Sequence, residues 1–406
     1  MANRVLIGVT GGIAAYKVCE VVSTLAKAGV EVRVILTKSA EEFVTPLTFA
    51  TLSRSPAYTD RDFWQPLHGR PLHIELGEWA DVLAIAPLTA NTMSHLAWGM
   101  ADNLLTNTIL ASKCPVLLAP AMNTTMWLQE PVQQNWQKLQ TNSRYWAIAP
   151  TSGILACDAE GTGRMAEPEA IVSYLESLLY TKGLRDLSGK RVLVSAGGTR
   201  EFLDPVRFIG NPATGKQGIE IAKAAWHRGA EVTLVAAGNA AFLSQPGMRV
   251  ISVNSSAEMH QAMLEAFPQA DLTIMAAAVG DVRPASYSDR KIPKAELPTS
   301  LALEAIADIV ADLGRRKRSD QILVGFAAQT GTGAEILAAA QQKLVHKGLD
   351  AIAANAVDQS QMGFGTATNQ ATFMDKSGRQ ETTSLCSKLQ LAHQLLDFLS
   401  KNQKTL

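Results

Sequence analysis

Short apolar runs of strand length recur along this chain and alternate with segments of helical pattern. The first half contains RVLIGVT, EVRVILT, DVLAIAP, PVLLAP and YWAIAP, and the second contains RVLVSAGG, EVTLVAAG, DLTIMAAAVG, QILVGFAA and LDAIAANAV. Strands that are apolar throughout are typical of parallel sheets whose two faces are covered by helices. The sequence therefore predicts an α/β protein of two doubly wound, Rossmann-like domains.

A polar, turn-prone segment, TKGLRDLSGK, separates the two sets of strands. The chain has 406 residues, which is too long for one ordinary core and suits two domains of common size. We place the boundary within residues 182–188, which predicts one domain of residues 1–185 and a second of residues 186–406.

The charge of the chain is balanced, because Lys plus Arg and Asp plus Glu both number 37 and the net charge is 0. Such a chain lacks the overall positive field that gathers nucleic acid or an anionic membrane surface. Its apolar runs are strand-length and interrupted, and MANRVLIGVT begins a strand rather than a signal peptide. We expect a soluble, cytoplasmic protein that binds small molecules and neither nucleic acid nor membrane.

The four cysteines, Cys19, Cys114, Cys157 and Cys386, lie far apart and form no CxxC pair. This spacing argues against both a disulfide framework and a zinc site. Any cysteine chemistry would be that of a single thiol.

Both halves open with a strand, glycines and a helix, in GVTGGIAAYK and AGGTREFLDPVRFIGNPATGKQG. Each opening predicts an anion site at a helix N-terminus, where backbone N–H groups and the helix dipole favour negative charge. In the first half Thr10 can add a hydroxyl donor, and Gly11 and Gly12 permit close backbone approach. The spacing is not GxGxxG, however, and a tight turn that needs glycine for its conformation alone explains this segment equally well.

The stretch PAMNTTMW follows the buried-strand pattern PVLLA. Asn123 within it either caps the next helix above packed apolar residues or contributes to a substrate pocket. The octapeptide taken alone leaves both interpretations open.

Together, GGIAAYK and PAMNTTMW resemble the flavin-dependent cysteine decarboxylases, which carry Gly-Gly-Ile-Ala-x-Tyr-Lys and Pro-x-Met-Asn-x-x-Met-Trp motifs. HIELGEWADVLAIAPLTANT and GMADNLLT resemble the active-site histidine segment and flavin-contacting loops of that family. The second half is similar to phosphopantothenate–cysteine ligase in AGGTREFLDPVRFIGNPATGKQG, KIPK, ADIVADL and FAAQT. The order of the halves resembles the bifunctional family of bacterial coenzyme A biosynthesis.

The resemblance implies a flavodoxin-like flavoprotein domain followed by a nucleotide-binding ligase domain. The ligase would join 4'-phosphopantothenate to L-cysteine through an acyl-cytidylate, with CTP as co-substrate and Mg2+. The flavoprotein domain would then decarboxylate 4'-phosphopantothenoylcysteine to 4'-phosphopantetheine. In this family FMN oxidises the thiol carbon to a thioaldehyde, which supplies the electron sink that carboxylate loss needs.

The resemblance assigns three residues to the decarboxylation. His73 would act as a base during oxidation, although a surface or helix N-terminal histidine is the alternative. Asn123 would hold the substrate carboxylate through a neutral amide, which does not oppose its loss. Cys157, on a glycine-flanked mobile flap, would donate a proton, although Asp158 stands where glycine is usual. The residues expected to contact FMN are Thr10, Gly11, Gly12, Thr37, Ser39, Pro87, Thr89, Asn91 and Asp102. Those expected to shape the substrate pocket wall are Met122, Met126 and Trp127.

In the ligase half the resemblance assigns Lys291 to acyl-nucleotide formation and Asn211 to contact with the acyl-nucleotide. A solvated lysine and a turn asparagine are the alternatives. Charge neutralisation at the transferring phosphate is the main demand of this chemistry. The residues expected around the nucleotide are Met275, Ala276, Ala277, Asp281, Lys291, Ala307, Asp308, Ile309, Val310, Phe326, Lys343 and Lys347.

Several positions depart from the family pattern. Gln217 replaces the usual Met, Gln329 the usual Glu, and Ala356 a common Asp, so magnesium or nucleotide affinity could differ. A decarboxylase with a degenerate ligase half and a non-catalytic flavin-binding regulatory protein are therefore the alternative functions. The resemblance further implies a homo-oligomer, because trimeric decarboxylase cores joined through ligase dimers give a dodecamer.

Overall fold

The computed structural model describes residues 3–65, 69–154, 160–238, 240, 247–356, 363 and 365–401. The chain divides into two compact units, Met1–Leu184 and Arg185–Leu406. This division falls inside the segment 182–188 in which the sequence placed the boundary.

The first unit is built on a parallel sheet of six strands. These are β1 (Arg4–Val9), β2 (Glu31–Leu36), β3 (Ala57–Tyr58), β4 (Val82–Leu88), β5 (Val116–Pro120) and β6 (Tyr145–Ala147). Their order in the sheet is β3-β2-β1-β4-β5-β6, and every pairing is parallel. Without the two-residue β3 the order becomes 2-1-3-4-5 in chain terms, which is flavodoxin-like and confirms the predicted fold class.

Helices cover this sheet, and a short antiparallel hairpin of β7 (Thr151–Ile154) and β8 (Glu160–Arg164) lies beyond it. Helix α1 packs inward because Val18, Val21, Val22 and Leu25 recur at helical spacing and are buried. The described helices are α1 (Ala15–Lys27), α2 (Pro46–Ser53), α3 (Asp60–Phe63), α4 (Leu72–Trp79), α5 (Ala90–Trp98), α6 (Leu104–Ala111), α7 (Thr124–Trp127), α8 (Glu130–Gln140) and α9 (Pro168–Thr181).

The second unit is built on a mixed sheet of eight strands with small hairpins around it. Its strands are β9 (Arg191–Ala196), β10 (Arg200–Phe202), β11 (Phe208–Gly210), β12 (Glu231–Ala237), β13 (Arg249–Val253), β14 (Leu272–Met275), β15 (Val282–Pro284), β16 (Leu303–Ala305), β17 (Ile322–Gln329), β18 (Ala351–Ala356), β19 (Thr368–Asn369), β20 (Thr372–Asp375), β21 (Gln380–Thr382) and β22 (Cys386–Ser387). Its helices are α10 (Lys216–His227), α11 (Ser256–Ala266), α12 (Ile309–Arg316), α13 (Gly333–His346) and α14 (Lys388–Ser400), with 3-10 turns at Phe267–Gln269 and Lys294–Glu296.

The order of the large sheet is β13-β12-β9-β14-β17-β18-β20-β21. The first six strands are parallel and follow the order 3-2-1-4-5-6, which agrees with the doubly wound domain that the sequence predicted from five of these strands. Strands β20 and β21 extend the sheet antiparallel, which the sequence did not predict. Strand β13 was also missed, because only its last residue is buried and no continuous apolar run marks it.

Helix α14 completes the core of the second unit. Leu391, Leu395 and Phe398 are fully buried on it, and the Phe398 ring lies 5.6 Å from that of Phe373 on β20. The helix packs against α10 within the same apolar cluster. None of the described helices is both long and apolar enough to cross a membrane.

The cysteines that the structure describes occupy packed positions. Cys386 is buried, while Cys19 and Cys114 are half-buried. Burial raises the pKa of all three thiols, so each favours its neutral form. These properties are typical of free cysteines that act as packing residues.

A buried charge cluster lies beside α14. Arg228 is 3% exposed and bonds Asp186 and Asp397, the latter at 2.8 Å. It also donates to the His393 carbonyl at 3.2 Å. Burial and the nearby Arg228 cation lower the pKa of His393 to about 3. His227, fully buried next to it, also has a pKa well below its usual range because of burial.

This pKa shift predicts a loss of stability in mild acid. An unfolded histidine takes a proton near pH 6.5, whereas folded His393 takes one only near pH 3. The unfolded state therefore binds more protons between these values, and stability falls as pH drops, by about 1.4 kcal/mol per pH unit for one histidine. We expect urea unfolding of the full chain to show a smaller loss between pH 7.5 and 5.5 in His393→Leu than in the wild type. The surface change His346→Leu should leave the wild-type loss unaltered, and equal losses in all three proteins would contradict the assignment.

Candidate functional site

The carboxyl ends of β1 and β4 meet where the strand order of the first unit reverses. Thr10, 1% exposed, joins the two ends: its hydroxyl donates to the Pro87 carbonyl at 2.5 Å and accepts from the Thr89 N–H at 3.0 Å. The hydroxyl hydrogen that we expected to reach a ligand is therefore used within the protein. Thr10 fixes the shape of the crevice in which ligands of open α/β sheets bind.

The two glycines after β1 serve different purposes. A Cβ on Gly11 would lie 2.3 Å from the Ser39 Cβ, so glycine is required for the loop after β1 to contact the loop after β2. A Cβ on Gly12 would make only ordinary contacts, 3.7 Å from Thr89 and 3.9 Å from Pro87. The start of α1 has no side-chain cap and no acidic residue in its first turn. These features fit the phosphate of a flavin nucleotide.

The other residues expected to contact the flavin lie around this edge. Thr37 follows β2, and its N–H donates to the Val9 carbonyl at 3.1 Å. Asn91 lies in the first turn of α5. Asp102 lies beyond the end of that helix, where its carboxylate accepts from Asn103 at 3.0 Å and lies 3.9 Å from His95. Their contact with a flavin stays a prediction.

Asn123 forms the cap of α7, as the structural interpretation of PAMNTTMW expected. Its side-chain oxygen accepts from the Thr125 N–H at 2.8 Å. This bond fixes the carboxamide just beyond β5, at the same edge of the sheet as the crevice. Because the cap uses Oδ1, a substrate carboxylate would be bound through Nδ2. Capping and substrate binding are therefore compatible.

The β7–β8 hairpin packs directly on the Asn123 loop. A Cβ on Gly163 would lie 2.2 Å from the Met122 carbonyl oxygen, and one on Gly161 would lie 2.4 Å from Thr124 Oγ1. The Met122 N–H donates to the Gly163 carbonyl at 2.9 Å. These two glycines, which the sequence suggested as parts of a hinged flap, permit close packing. Cys157 lies outside the described residues, as does Asp158.

His73 is the second residue of α4 and is half-buried. Its ring makes an edge contact with Phe63, at 5.4 Å between centroids. Nδ1 is buried and has no hydrogen-bond partner among the residues that the structure describes. The helix N-terminal position matches the alternative interpretation of His73, whereas its burial does not match a surface histidine.

The apolar side chains of the Asn123 loop point in different directions. Trp127 is 9% exposed and packs in the core, with its ring 5.6 Å from that of Trp136. Met126 is 48% exposed, and Met122 packs partly against the core. Trp127 therefore supports the loop from beneath, and the two methionines stay candidates for contact with a substrate.

A cavity of about 540 Å³ opens at the carboxyl ends of β9, β14 and β17 in the second unit. It collects Asn211 and nearly all of the residues predicted to surround a nucleotide. Those that line it are Met275, Ala276, Ala277, Asp281, Ala307, Asp308, Ile309, Val310, Phe326, Lys343 and Lys347.

Lys291 is the predicted residue that the structure does not bring to the cavity. It is exposed in the loop between β15 and β16 and is not among the described lining residues. The loop is held elsewhere, because the Ile292 carbonyl accepts from Arg207 at 3.1 Å and the Ile292 N–H donates to Asp204 at 3.3 Å. Its role in acyl-nucleotide formation stays a prediction without support from this geometry.

Asn211 is anchored to the backbone that follows β14. Its Nδ2 donates to the Val279 carbonyl at 3.2 Å and to that of Ala278 at 3.4 Å. A Cβ on Gly198 would lie 2.7 Å from the Asn211 carbonyl oxygen, so the backbone at Gly198 passes close to that of Asn211. Asn211 is held at the cavity wall in one orientation.

The start of α10 retains the geometry of an anion site. Gly215 caps the helix at a φ of 80°, and a Cβ on it would lie 3.0 Å from the Gly197 nitrogen. A Cβ on Gly218 would lie 2.7 Å from that of Ala196, so the helix packs tightly on β9. The first turn contains no acidic residue. The departure at Gln217 leaves these backbone features in place.

Lys343 near the end of α13 and Lys347 just after it make part of the cavity positive. Lys347 bonds the Asp308 carboxylate at 3.0 Å, and Asp308 also caps α12 by accepting from Ala311 at 3.0 Å. Burial would raise the pKa of Asp308, but these hydrogen bonds and the Lys347 charge lower it. Burial and the neighbouring Lys347 lower the pKa of Lys343. A bound polyphosphate would stabilise both ammonium groups.

Sequence reasoning missed a further set of cavity residues. Lys388, the first residue of α14, lines the cavity together with Lys216, Gln217, Asn355 and Asn369. No motif or periodicity marks Lys388, which follows the capping residue Ser387 and resembles any helix-start lysine. Only the fold brings it next to the start of α10.

Comparisons with known proteins cover the whole chain. A family model described as Flavoprotein matches residues 1–180, and one described as DNA/pantothenate metabolism flavoprotein C-terminal domain matches residues 187–402. The coenzyme A biosynthesis bifunctional protein CoaBC of Bacillus subtilis is 42% identical over 404 residues, covering 99% of this chain and 98% of the relative. The protein of that name from Haemophilus influenzae is 41% identical over 406 residues, covering 100% and 99%.

Among solved structures, a PPC decarboxylase mutant complexed with pantothenoylaminoethenethiol is 38% identical to this chain. It covers 43% of this chain and 97% of its own, with a TM-score of 0.41. The full-length matches confirm the family resemblance found in the sequence.

Close packing of the hairpin on the Asn123 loop predicts a specific effect of Gly163→Ala. The new Cβ would overlap the Met122 carbonyl oxygen at 2.2 Å, so the loop or the hairpin must move. We expect a melting temperature lower by several degrees, since forced overlap costs about 1–3 kcal/mol, together with loss of decarboxylation. Gly69→Ala is the control, because no atom of the described residues lies within 4 Å of its added Cβ. A variant at Gly163 with unchanged melting and activity would show that the packing is not required.

Proposed function

This chain belongs to the bifunctional coenzyme A biosynthesis proteins and is an enzyme with decarboxylase and ligase activities, and we propose that its halves act in succession on one substrate. The second unit joins 4'-phosphopantothenate to L-cysteine with CTP, and the first unit decarboxylates the product to 4'-phosphopantetheine. The observation that supports the ligase reaction best is the cavity of the second unit, which gathers eleven predicted nucleotide residues around cationic side chains.

In the first unit, FMN when bound would accept two electrons from the thiol-bearing carbon, so that CO2 leaves beta to a C=S group, and would return them afterwards, so that no net redox change occurs. Gly12 and the start of α1 would hold its phosphate. Asn123, fixed by its capping bond, orients the substrate carboxylate through a neutral donor. His73, whose buried Nδ1 faces no protein partner among the described residues, receives the thiol proton. Cys157 returns a proton to the carbon skeleton after CO2 has left.

In the second unit, the ligase has to make a carboxylate oxygen attack a phosphate without repulsion between the two anions. Lys343 and Lys347 neutralise the triphosphate, and the start of α10 offers backbone N–H groups to a second phosphate group. Asn211 holds the acyl group against the backbone beyond β14. No three His, Cys, Asp or Glu side chains of the described part of the chain are grouped to hold a metal ion. Mg2+ would therefore enter with the triphosphate.

A degenerate ligase half is the second candidate, motivated by Gln329 and Ala356. Both lie at strand ends, Gln329 at the end of β17 and Ala356 buried at the end of β18. The cavity keeps its cations and the open start of α10 despite these two departures, which favours an active ligase. A non-catalytic regulatory role is disfavoured by the intact PAMNTTMW loop. Assembly into a homo-oligomer, up to a dodecamer, and a cytoplasmic location stay predictions from the family.

The experiment that tests the proposal is a mass-spectrometric assay of the purified protein. Its substrates are 4'-phosphopantothenate, L-cysteine and Mg2+ with either CTP or ATP, after the visible spectrum of the protein has been recorded. We expect a yellow protein that forms 4'-phosphopantetheine with CTP. Decarboxylation of supplied 4'-phosphopantothenoylcysteine without its formation would support the degenerate ligase instead. A colourless protein inactive in both steps would contradict the proposal.

A substitution at Asn123 tests the decarboxylase site separately. Asn123→Asp keeps an oxygen that can cap α7, so the fold and flavin spectrum should persist. The new carboxylate faces that of the substrate, and like charges in contact cost several kcal/mol, so decarboxylation should fall by about 100-fold or more. Asn142→Asp is the matched control, because Asn142 makes a similar local bond to the Arg144 N–H at 3.0 Å but lies on the exposed surface. Unchanged turnover in the Asn123 variant would exclude contact with the carboxylate.

A further inference from the structure

Lys388 is a buried cation in the wall of the second unit's cavity. The residue is only 5% exposed, and its ammonium group donates a hydrogen bond to the Gly363 carbonyl at 3.1 Å. Lys216, at the start of α10, lines the same cavity and donates to the Gly365 carbonyl at 3.2 Å. Burial and the nearby Lys216 charge lower the pKa of Lys388. The two ammonium groups therefore repel each other electrostatically in a partly desolvated part of the cavity.

Within the part of the chain that the structure describes, no carboxylate forms an ion pair within 4 Å with either Lys216 or Lys388. Glu220 attracts Lys388 from farther away, but its carboxylate is already bonded to Lys223 at 2.8 Å. Burying a charge without an opposite charge is costly, and carbonyl dipoles offset only part of that cost. An anionic ligand would supply the missing charge.

The pair is separate from the lysines of α13. Lys343 interacts with Lys347 and with two carboxylates, Asp281 and Asp308, whereas Lys388 interacts with Lys216 and Glu220. The cavity thus has two positive regions. The one at the end of α13 has the carboxylates of Asp281 and Asp308 in the cavity lining, whereas Glu220, which interacts with Lys388, is not among the described lining residues. A ligand with two anionic groups, or two ligands with one each, would match this arrangement.

Side chains fix Lys388 beside the start of α10. Gln217 donates to the Lys388 carbonyl at 3.2 Å, and Asn369 donates to the Gln217 side-chain oxygen at 3.3 Å. The family usually has Met at the position of Gln217, and a thioether would donate no such bond. In this chain the departure therefore connects the first turn of α10 to the first residue of α14.

We propose that Lys388 and Lys216 form a second phosphoryl subsite of the cavity, next to the start of α10. It binds either the triphosphate of the nucleotide or the phosphate of the acyl substrate. This inference rests on the proposed ligase function for the identity of these ligands. It adds Lys388 of α14 as a binding residue that neither motif nor spacing indicated.

The test is Lys388→Met in the full-length protein, with Lys388→Arg as the variant that keeps the charge. Binding of CTP and of 4'-phosphopantothenate is measured by calorimetry, and turnover of 4'-phosphopantothenate is compared with that of unphosphorylated pantothenate. A charged hydrogen bond is worth about 10- to 100-fold in affinity. We expect a loss of this size for one ligand in Lys388→Met and partial retention in Lys388→Arg. Lys376→Met, at an exposed lysine, is the control.

The two sources of the phosphoryl group give different results. Weaker CTP binding with unchanged preference for the phosphorylated acid assigns the subsite to the triphosphate. Lost preference with unchanged CTP binding assigns it to the acyl phosphate. Melting of the ligand-free protein separates a binding role from a structural one. Removal of an unbalanced buried charge should leave the melting temperature equal or higher.

Different experimental results would overturn the phosphoryl subsite and the proposed ligase function. Equal binding of both ligands by the wild type and Lys388→Met, with a lower melting temperature in the variant, would overturn the subsite and make Lys388 a structural residue. Absence of 4'-phosphopantothenoylcysteine from the wild-type reaction would instead overturn the ligase function. The binding measurements do not require turnover, so they decide on the subsite in either case.

Discussion

Parallel pairing of β1 with β4, and of β9 with β14, is the constraint on which both sites depend. Each pair lies where the strand order reverses, so the connecting helices leave in opposite directions and open a crevice at the carboxyl ends. A buried threonine joins the two edges in each unit. Thr10 bonds the end of β4 through Pro87 and Thr89, and Thr199 accepts from the Gly280 N–H at 2.9 Å beyond β14. The same device thus shapes the crevice of the first unit and the cavity of the second.

Steric contact, rather than flexibility, explains the glycines that surround these crevices. Gly11 permits two loops to touch, Gly163 brings a hairpin onto the Asn123 loop, and Gly218 lets α10 lie on β9. At each of these positions a methyl group would overlap a neighbouring atom by a large margin. The candidate site side chains are consequently carried by closely packed backbone, which fixes their geometry.

Much of the fold and part of each site could be predicted from the sequence. Buried parallel strands appear in the sequence as continuous apolar runs, and ten of them were identified in this way. The family motifs located Asn123 and most of the lining residues of the second unit's cavity. The edge strands β13 and β21 were missed because few of their residues are buried, and the interior strand β20 was missed because its apolar run is only a few residues long. Lys388 was missed because its burial depends on where α14 docks. Lys291 was assigned from the family resemblance alone, and because its loop is anchored through Ile292 and has no periodicity, its role stays a prediction.

The position of α14 has a consequence for how the protein is made. Its apolar face, with Leu391 and Phe398, closes the core of the second unit, and its first residue completes the cavity wall. The ribosome synthesises this helix last among the described elements, whereas every element of the first unit has been made by residue 181. The flavoprotein half can therefore fold while translation continues, as N-terminal domains generally do. The second half completes its core only when α14 has been made, so until then the apolar surface that this helix covers stays open to solvent.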